Sequence, residues 1–250
     1  MSNNEQDLVG PLYQLKAECP ACRNTFQTSR IRPSFKKSIK SDSDYCIHYA
    51  NPDLNPDYYV VQVCEHCGCS TTEHAMKRWN EQQLALFKEK IASQWQPRSY
   101  GGARTWKEAL ETYQLALLTA QTIGESKRVI AGLLHHMAWL YRYHGDHEQE
   151  QRYLRNALDA YHDVYERESD ELNDAKLVYI TGELHRRVGE FSEAAKCFAR
   201  IIHDKKIMDA AIIRAAREQW TIMREQMQAL KLETPDQLFE EKHIKLAYSD

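Results

Sequence analysis

The stretches AWLYRYHGDHEQEQRYLRNAL (residues 138–158) and GELHRRVGEFSEAAKCFARII (residues 182–202) carry one pattern twice, 44 positions apart. In each, an amphipathic run ends at a glycine, Gly145 or Gly189, and a second run opens directly after it. Leu154, Ala157 and Leu158 of the first copy align with Phe198, Ile201 and Ile202 of the second. An earlier copy reads Trp106 to Tyr113, followed by Ala116 and Leu117. No proline falls between about 105 and 230, and apolar residues recur three and four apart throughout, the pattern of an all-α domain. A lone helix pair cannot cover its apolar face, whereas adjacent pairs bury a continuous core, so phased copies predict a stacked array.

The second helix of each copy resembles that of a tetratricopeptide repeat, in which large and small residues alternate at fixed helical offsets. Ala109, Tyr113 and Ala116 match best, then Phe191, Ala194 and Phe198, while Glu150 stands where a small residue is usual. The 44-residue spacing exceeds the usual ~34 of such repeats and implies longer or less regular helix pairs. In that arrangement the first helix of each pair lines the concave surface. His135, Trp139, Arg142 and Tyr143 then face inward beside Tyr179, Glu183, Arg186 and Arg187. Such an aromatic and basic face suits a protein or peptide partner, an acidic or C-terminal peptide in particular. The competing reading packs Trp139 and Tyr143 against the N-terminal module or a terminal helix.

Six of the seven cysteines fall between Cys19 and Cys69, and the opening MSNNEQDLVG lacks the order of a signal peptide. That clustering favours metal over disulfides. Cys19-Pro-Ala-Cys22 and Cys64-Glu-His-Cys67 are two Cys-x-x-Cys knuckles, which together supply four thiolates to a tetrahedral ion. Zn2+ fits this donor set best, and a closed four-sulfur site leaves no position for a substrate water, so the expected role is structural. Cys46, beside His48, and Cys69 are candidate alternative ligands, each with the plainer reading of a small buried apolar residue. His66, inside the second knuckle, is expected to point to solvent, and Cys197 to pack in the helical core.

These readings predict a mainly α protein in which a small four-cysteine zinc-ribbon-like β module precedes an α-helical tetratricopeptide-like repeat array. The zinc-binding module with its trailing helix takes residues 1–92, a linker 93–104, the repeats 105–231 and a tail 232–250. The order Ser70-Thr71-Thr72-Glu73 reads as a capping box opening a helix over about 71–92. The proline and paired glycines of 94–102 read as a linker.

Further along the same residues, Cys-Pro-x-Cys, an Asp-x-Asp-Tyr-Cys loop, Asn-Pro-Asp-Tyr-Tyr, Cys-x-x-Cys-Gly and a later Tyr-Gln-Leu-Ala-Leu helix occur in order between about 19 and 203. The chain resembles the bacterial family of domain of unknown function 2225. The resemblance implies metal at the cysteines and repeats in the C-terminal half, and it brings no activity with it. Matched positions include Asp42, Asp44, Cys46, Asn55, Pro56, Tyr58, Tyr59 and Gly68, besides the knuckles. Arg23 departs from the glycine expected after the first knuckle, which predicts that this turn closes differently, through Asn24.

A net charge of -3 gives no overall drive toward nucleic acid or anionic lipid, and no apolar run reaches the roughly 18 residues that span a bilayer. A cytoplasmic, non-enzymatic protein is expected. No phosphate-cradling loop or dinucleotide fingerprint stands among the nine glycines, and the paired His135 and His136 sit beside no nucleophile with an orienting acid. The remaining basic feature is residues 23–40, where Arg23, Arg30, Arg32, Lys36, Lys37 and Lys40 run without an acid among Phe26 and Phe35. It supports an alternative reading as a nucleic-acid-associated factor, unless Asp42, Asp44, Asp53 and Asp57, which follow at once, neutralise the stretch by cross-strand pairing.

Overall fold

The structure is a computed structural model and describes residues 10–168 and 175–232. Three antiparallel strand pairs come first: β1 (Leu12–Glu18) with β2 (Thr25–Ile31), β3 (Ser38–Ser41) with β4 (Ile47–Tyr49), and β5 (Gln62–Val63) with β6 (Ser70–Thr71). Helices follow as α1 (Glu81–Lys90), α2 (Trp106–Ile123), α3 (Lys127–His144), α4 (His147–Glu168), α5 (Ala175–Arg187), α6 (Phe191–His203) and α7 (Ala210–Ala229). The protein is thus mainly helical, with small strand pairs ahead of a helical array, as its periodicities predict. Most of the 232–250 tail lies outside the described residues.

The helix ends are written in the local sequence. Thr105 and Glu108 form a capping box at the start of α2, and Ser126 caps α3. Gly124 and Gly145 end α2 and α3 with φ of +65° and +77°, and Gly189 after α5 adopts +84°, a left-handed backbone that costs glycine little. Of the aligned positions, Leu154, Ala157, Leu158, Phe198 and Ile201 are buried and Ile202 is partly buried.

The helix expected from about residue 71 begins only at Glu81. Ser70 and Thr71 instead pair with Val63 and Gln62, and the Ser70 hydroxyl donates to the Gly68 carbonyl. Backbone pairing within the hairpin thus takes the groups a helical cap would use. The capping box belongs to Asn80 and Gln83, whose side chains each accept from the other's backbone N–H.

Contacts divide the described residues into two compact units, 10–41 with 47–150, and 42–46 with 151–168 and 175–232. The division falls inside α4 and leaves 93–104 within the first unit. Tyr100 and Arg104 of that segment are buried. Arg104 donates from Nε to the Tyr100 carbonyl and from one guanidinium nitrogen to the carbonyls of Tyr58 and Val61, at 2.9–3.0 Å. The Gly101 carbonyl accepts from Gln14 and Ser29 of the first strand pair. The segment read as a linker is packed structure. In the second unit, Val178, Tyr179, Phe198, Ile201, Ile212, Ala216, Met223 and Met227 form a core shared by α5, α6 and α7.

Candidate metal centre

The two knuckles are built by the same backbone device. In the first, Arg23 N–H donates to the Cys19 carbonyl and Cys19 N–H to the Asn24 carbonyl, both at 3.0 Å. In the second, Gly68 N–H donates to the Cys64 carbonyl and Cys64 N–H to the Cys69 carbonyl, both at 2.9 Å. The residue after each second cysteine is left-handed: Gly68 at φ +75°, and Arg23 at +64°. Arg23 therefore closes its turn in the conformation glycine favours, with Asn24 supplying the acceptor.

This places the sulfurs of Cys19, Cys22, Cys64 and Cys67 within 4.8 Å of one another. Cys19 lies 3.6 Å from Cys67 and Cys22 lies 3.7 Å from Cys64, too far for disulfides. A tetrahedral ion with metal–sulfur bonds of about 2.3 Å needs sulfur–sulfur separations of about 3.8 Å. The donor set and its spacing can therefore hold a metal ion. Neighbouring thiols donating to Cys19 pull its pKa down, while the same contact with Cys19 pushes Cys64 and Cys67 up. Four sulfurs this close share negative charge favourably only with a cation among them.

The cluster is embedded in a core. Cys19, Cys64 and Cys67 pack with Phe26, Trp79, Phe87, Ile91 and Ile123, so strands, α1 and the end of α2 share one apolar interior. Trp95 donates from Nε1 to the Glu65 carbonyl at 2.8 Å, and its ring lies where a Gly68 Cβ would stand. Cys69 is buried beside Cys19 but outside the four-sulfur set, and its carbonyl closes the second knuckle. Cys46 is buried at the tip between β3 and β4 and belongs to the second unit. His66 is half-exposed next to Glu65, and Cys197 packs against the second core, burial raising its thiol to about 11.

The eight residues assigned to a partner groove are placed as follows. In the first unit, His135 and Trp139 are buried and their rings lie 4.7 Å apart. Arg142 donates to Glu150 at 2.7 Å, and the Tyr143 hydroxyl lies 2.7 Å from Asp57 and 2.9 Å from the Ile47 carbonyl. In the second unit, Tyr179, Glu183, Arg186 and Arg187 meet the chain's own segment Asp42–Cys46. The Ser43 hydroxyl donates to Glu183 at 2.6 Å, Tyr179 donates to the Ser43 carbonyl at 2.9 Å, and Arg187 reaches Asp44 at 3.3 Å. Arg186 donates to both Glu183 oxygens and to Gln226. Sequence periodicity placed these residues on α5, but the segment that meets them lies some 140 residues earlier, beyond any local signal.

The arginines of 23–40 are engaged, though not by Asp42 to Asp57. Arg23 pairs with Glu18, Arg30 with Glu73 and the Tyr59 carbonyl, and Arg32 with the Gly10 carbonyl. Lys36, Lys37 and Lys40 are exposed. Among the described residues no helix is long and apolar enough to cross a membrane.

A family model described as an uncharacterized protein conserved in bacteria, domain of unknown function 2225, matches residues 12–223. The chain belongs to that family. The match includes both knuckles, the 42–46 segment and helices α1 to α6, so it covers most of both units. No curated protein and no solved structure matches the chain.

Proposed function

We propose that this member of the family is a non-enzymatic, zinc-stabilised protein-interaction adaptor whose α5 face takes an extended acidic segment of a partner. The zinc assignment draws on four thiolates at tetrahedral spacing, the donor chemistry that suits this ion. The adaptor reading is carried by the way α5 already holds the chain's own Asp42-Ser43-Asp44-Tyr45-Cys46. Arg187 takes the Asp44 carboxylate, Glu183 the Ser43 hydroxyl and Tyr179 a backbone carbonyl. A face that reads carboxylate, hydroxyl and main chain together is a peptide-recognition surface with a resident ligand. Tethering gives that resident a high effective concentration, so a partner segment of the same chemistry must compete with it. The alternative nucleic-acid reading rests on the exposed Lys36 and Lys37, since the arginines beside them are engaged.

The test uses a fluorescein-labelled peptide Ser-Asp-Ser-Asp-Tyr-Ser. The Ser43→Ala, Asp44→Ala variant should bind it at least tenfold more tightly than the natural chain, and adding Arg187→Glu should abolish the gain. A double variant of unchanged helix content that binds no better than the natural chain would overturn the reading.

A further inference from the structure

A pair of histidines in the second unit stands apart from the thiol cluster in both place and chemistry. His162 lies on α4 and His185 near the end of α5, and their Nε2 atoms face each other at 3.0 Å. Behind His185, the Glu190 carboxylate lies 2.7 Å from Nδ1. A carboxylate at that distance accepts the Nδ1 proton, which fixes the tautomer and leaves Nε2 unprotonated on the side that faces His162. The side chain of His185 is buried, while His162 is partly open. Glu193, paired with Lys196 at 2.6 Å, is near enough to feel both rings.

We infer that His162 and His185 form a two-imidazole binding site for a divalent first-row transition ion, with Glu190 as the positioning carboxylate. Metal–imidazole bonds are about 2.0–2.1 Å long, so nitrogens 3.0 Å apart subtend an angle of about 90–97° at a shared ion. That is the cis angle of tetragonal and octahedral complexes, which favours Ni2+ or Cu2+ over the tetrahedral preference of Zn2+. Water completes the coordination on the open His162 side. On binding, the proton His162 shares with His185 moves to His162 Nδ1. Both rings stay neutral and no electron is transferred. The site is thus selective by geometry and donor type against the four-thiolate cluster, which suits softer tetrahedral binding.

The probe is Ni2+ titrated calorimetrically into zinc-loaded full-length protein near pH 7.5. One high-affinity equivalent is expected. His162→Gln should weaken it at least tenfold, His185→Gln similarly, and Glu190→Gln by about tenfold, the usual effect of losing a carboxylate behind a ligating imidazole. Since His185 is buried, the variant at the partly open His162 decides the test if His185→Gln unfolds. Absence of that equivalent, or equal affinity in the folded His162→Gln variant, would overturn the site and leave a proton-sharing histidine pair.

Discussion

Arg23 and Gly68 occupy equivalent positions, each directly after the second cysteine of a knuckle and each left-handed, at φ +64° and +75°. The equivalence is one of backbone only. A Cβ at Gly68 would meet the Trp95 ring at 2.5 Å, whereas the Arg23 side chain is exposed and pairs with Glu18.

Substitutions at the two positions should therefore diverge. Arg23→Gly relieves left-handed strain of about 1–2 kcal/mol, of which the extra chain entropy of glycine takes back about 0.5–1 kcal/mol, and loses only a solvent-exposed ion pair, so stability should rise slightly or hold. Gly68→Ala adds that strain to a collision with a ring held by its bond to Glu65, and should cost about 2 kcal/mol or more. Urea denaturation of both variants, read by circular dichroism, checks the contrast.

Metal removal should unfold more than the strands. The cysteines share their core with Phe87 of α1, Ile91 at its end and Ile123 of α2, whereas α5, α6 and α7 have a core of their own. Metal analysis should find about one zinc per chain, and Cys19→Ser or Cys64→Ser should lose it. Chelation should reduce helix content only in part. Intact helix content in a metal-free chain would show that the cluster does not support α1 and α2.

Arg104 is a buried cation answered by carbonyls, and burial lowers its pKa to about 10, so it stays charged at neutral pH. Arg104→Met keeps the length and leaves the carbonyls of Tyr58, Tyr100 and Val61 without that donor. A loss of about 3 kcal/mol is expected in chemical denaturation. A loss below about 1 kcal/mol would mean that water replaces the guanidinium without cost.

Burial, with His135 beside it, pushes His136 down to about 3. The folded value lies below the unfolded one of about 6.5, so protonation favours unfolding. The associated stability is whole above pH 6.5 and drains as pH falls toward 3, at up to about 1.4 kcal/mol per pH unit. Between pH 7 and pH 5 the natural chain should lose about 1–2 kcal/mol more than His136→Phe does. Parallel pH dependence in the two proteins would assign the titration elsewhere.

What is local in this protein was legible in the chain alone. Knuckle spacing brought four sulfurs together once two tight turns formed, glycines at 145 and 189 marked helix ends, and three-four periodicity marked the helical array. Where distant segments meet was settled by folding. Asp42–Cys46 belongs with α5, Arg104 anchors a stretch whose proline and glycines read as a linker, and the units part inside a continuous helix. Ser70 shows the same limit at short range, since its capping signal was overridden by pairing with β5. Local signals reflect backbone preferences and face periodicity, each worth about 1 kcal/mol or less per residue. Buried polar partners such as Arg104 with the Tyr58 carbonyl are fixed by the larger cost of leaving either group unpaired, a cost that exists only once the chain has folded.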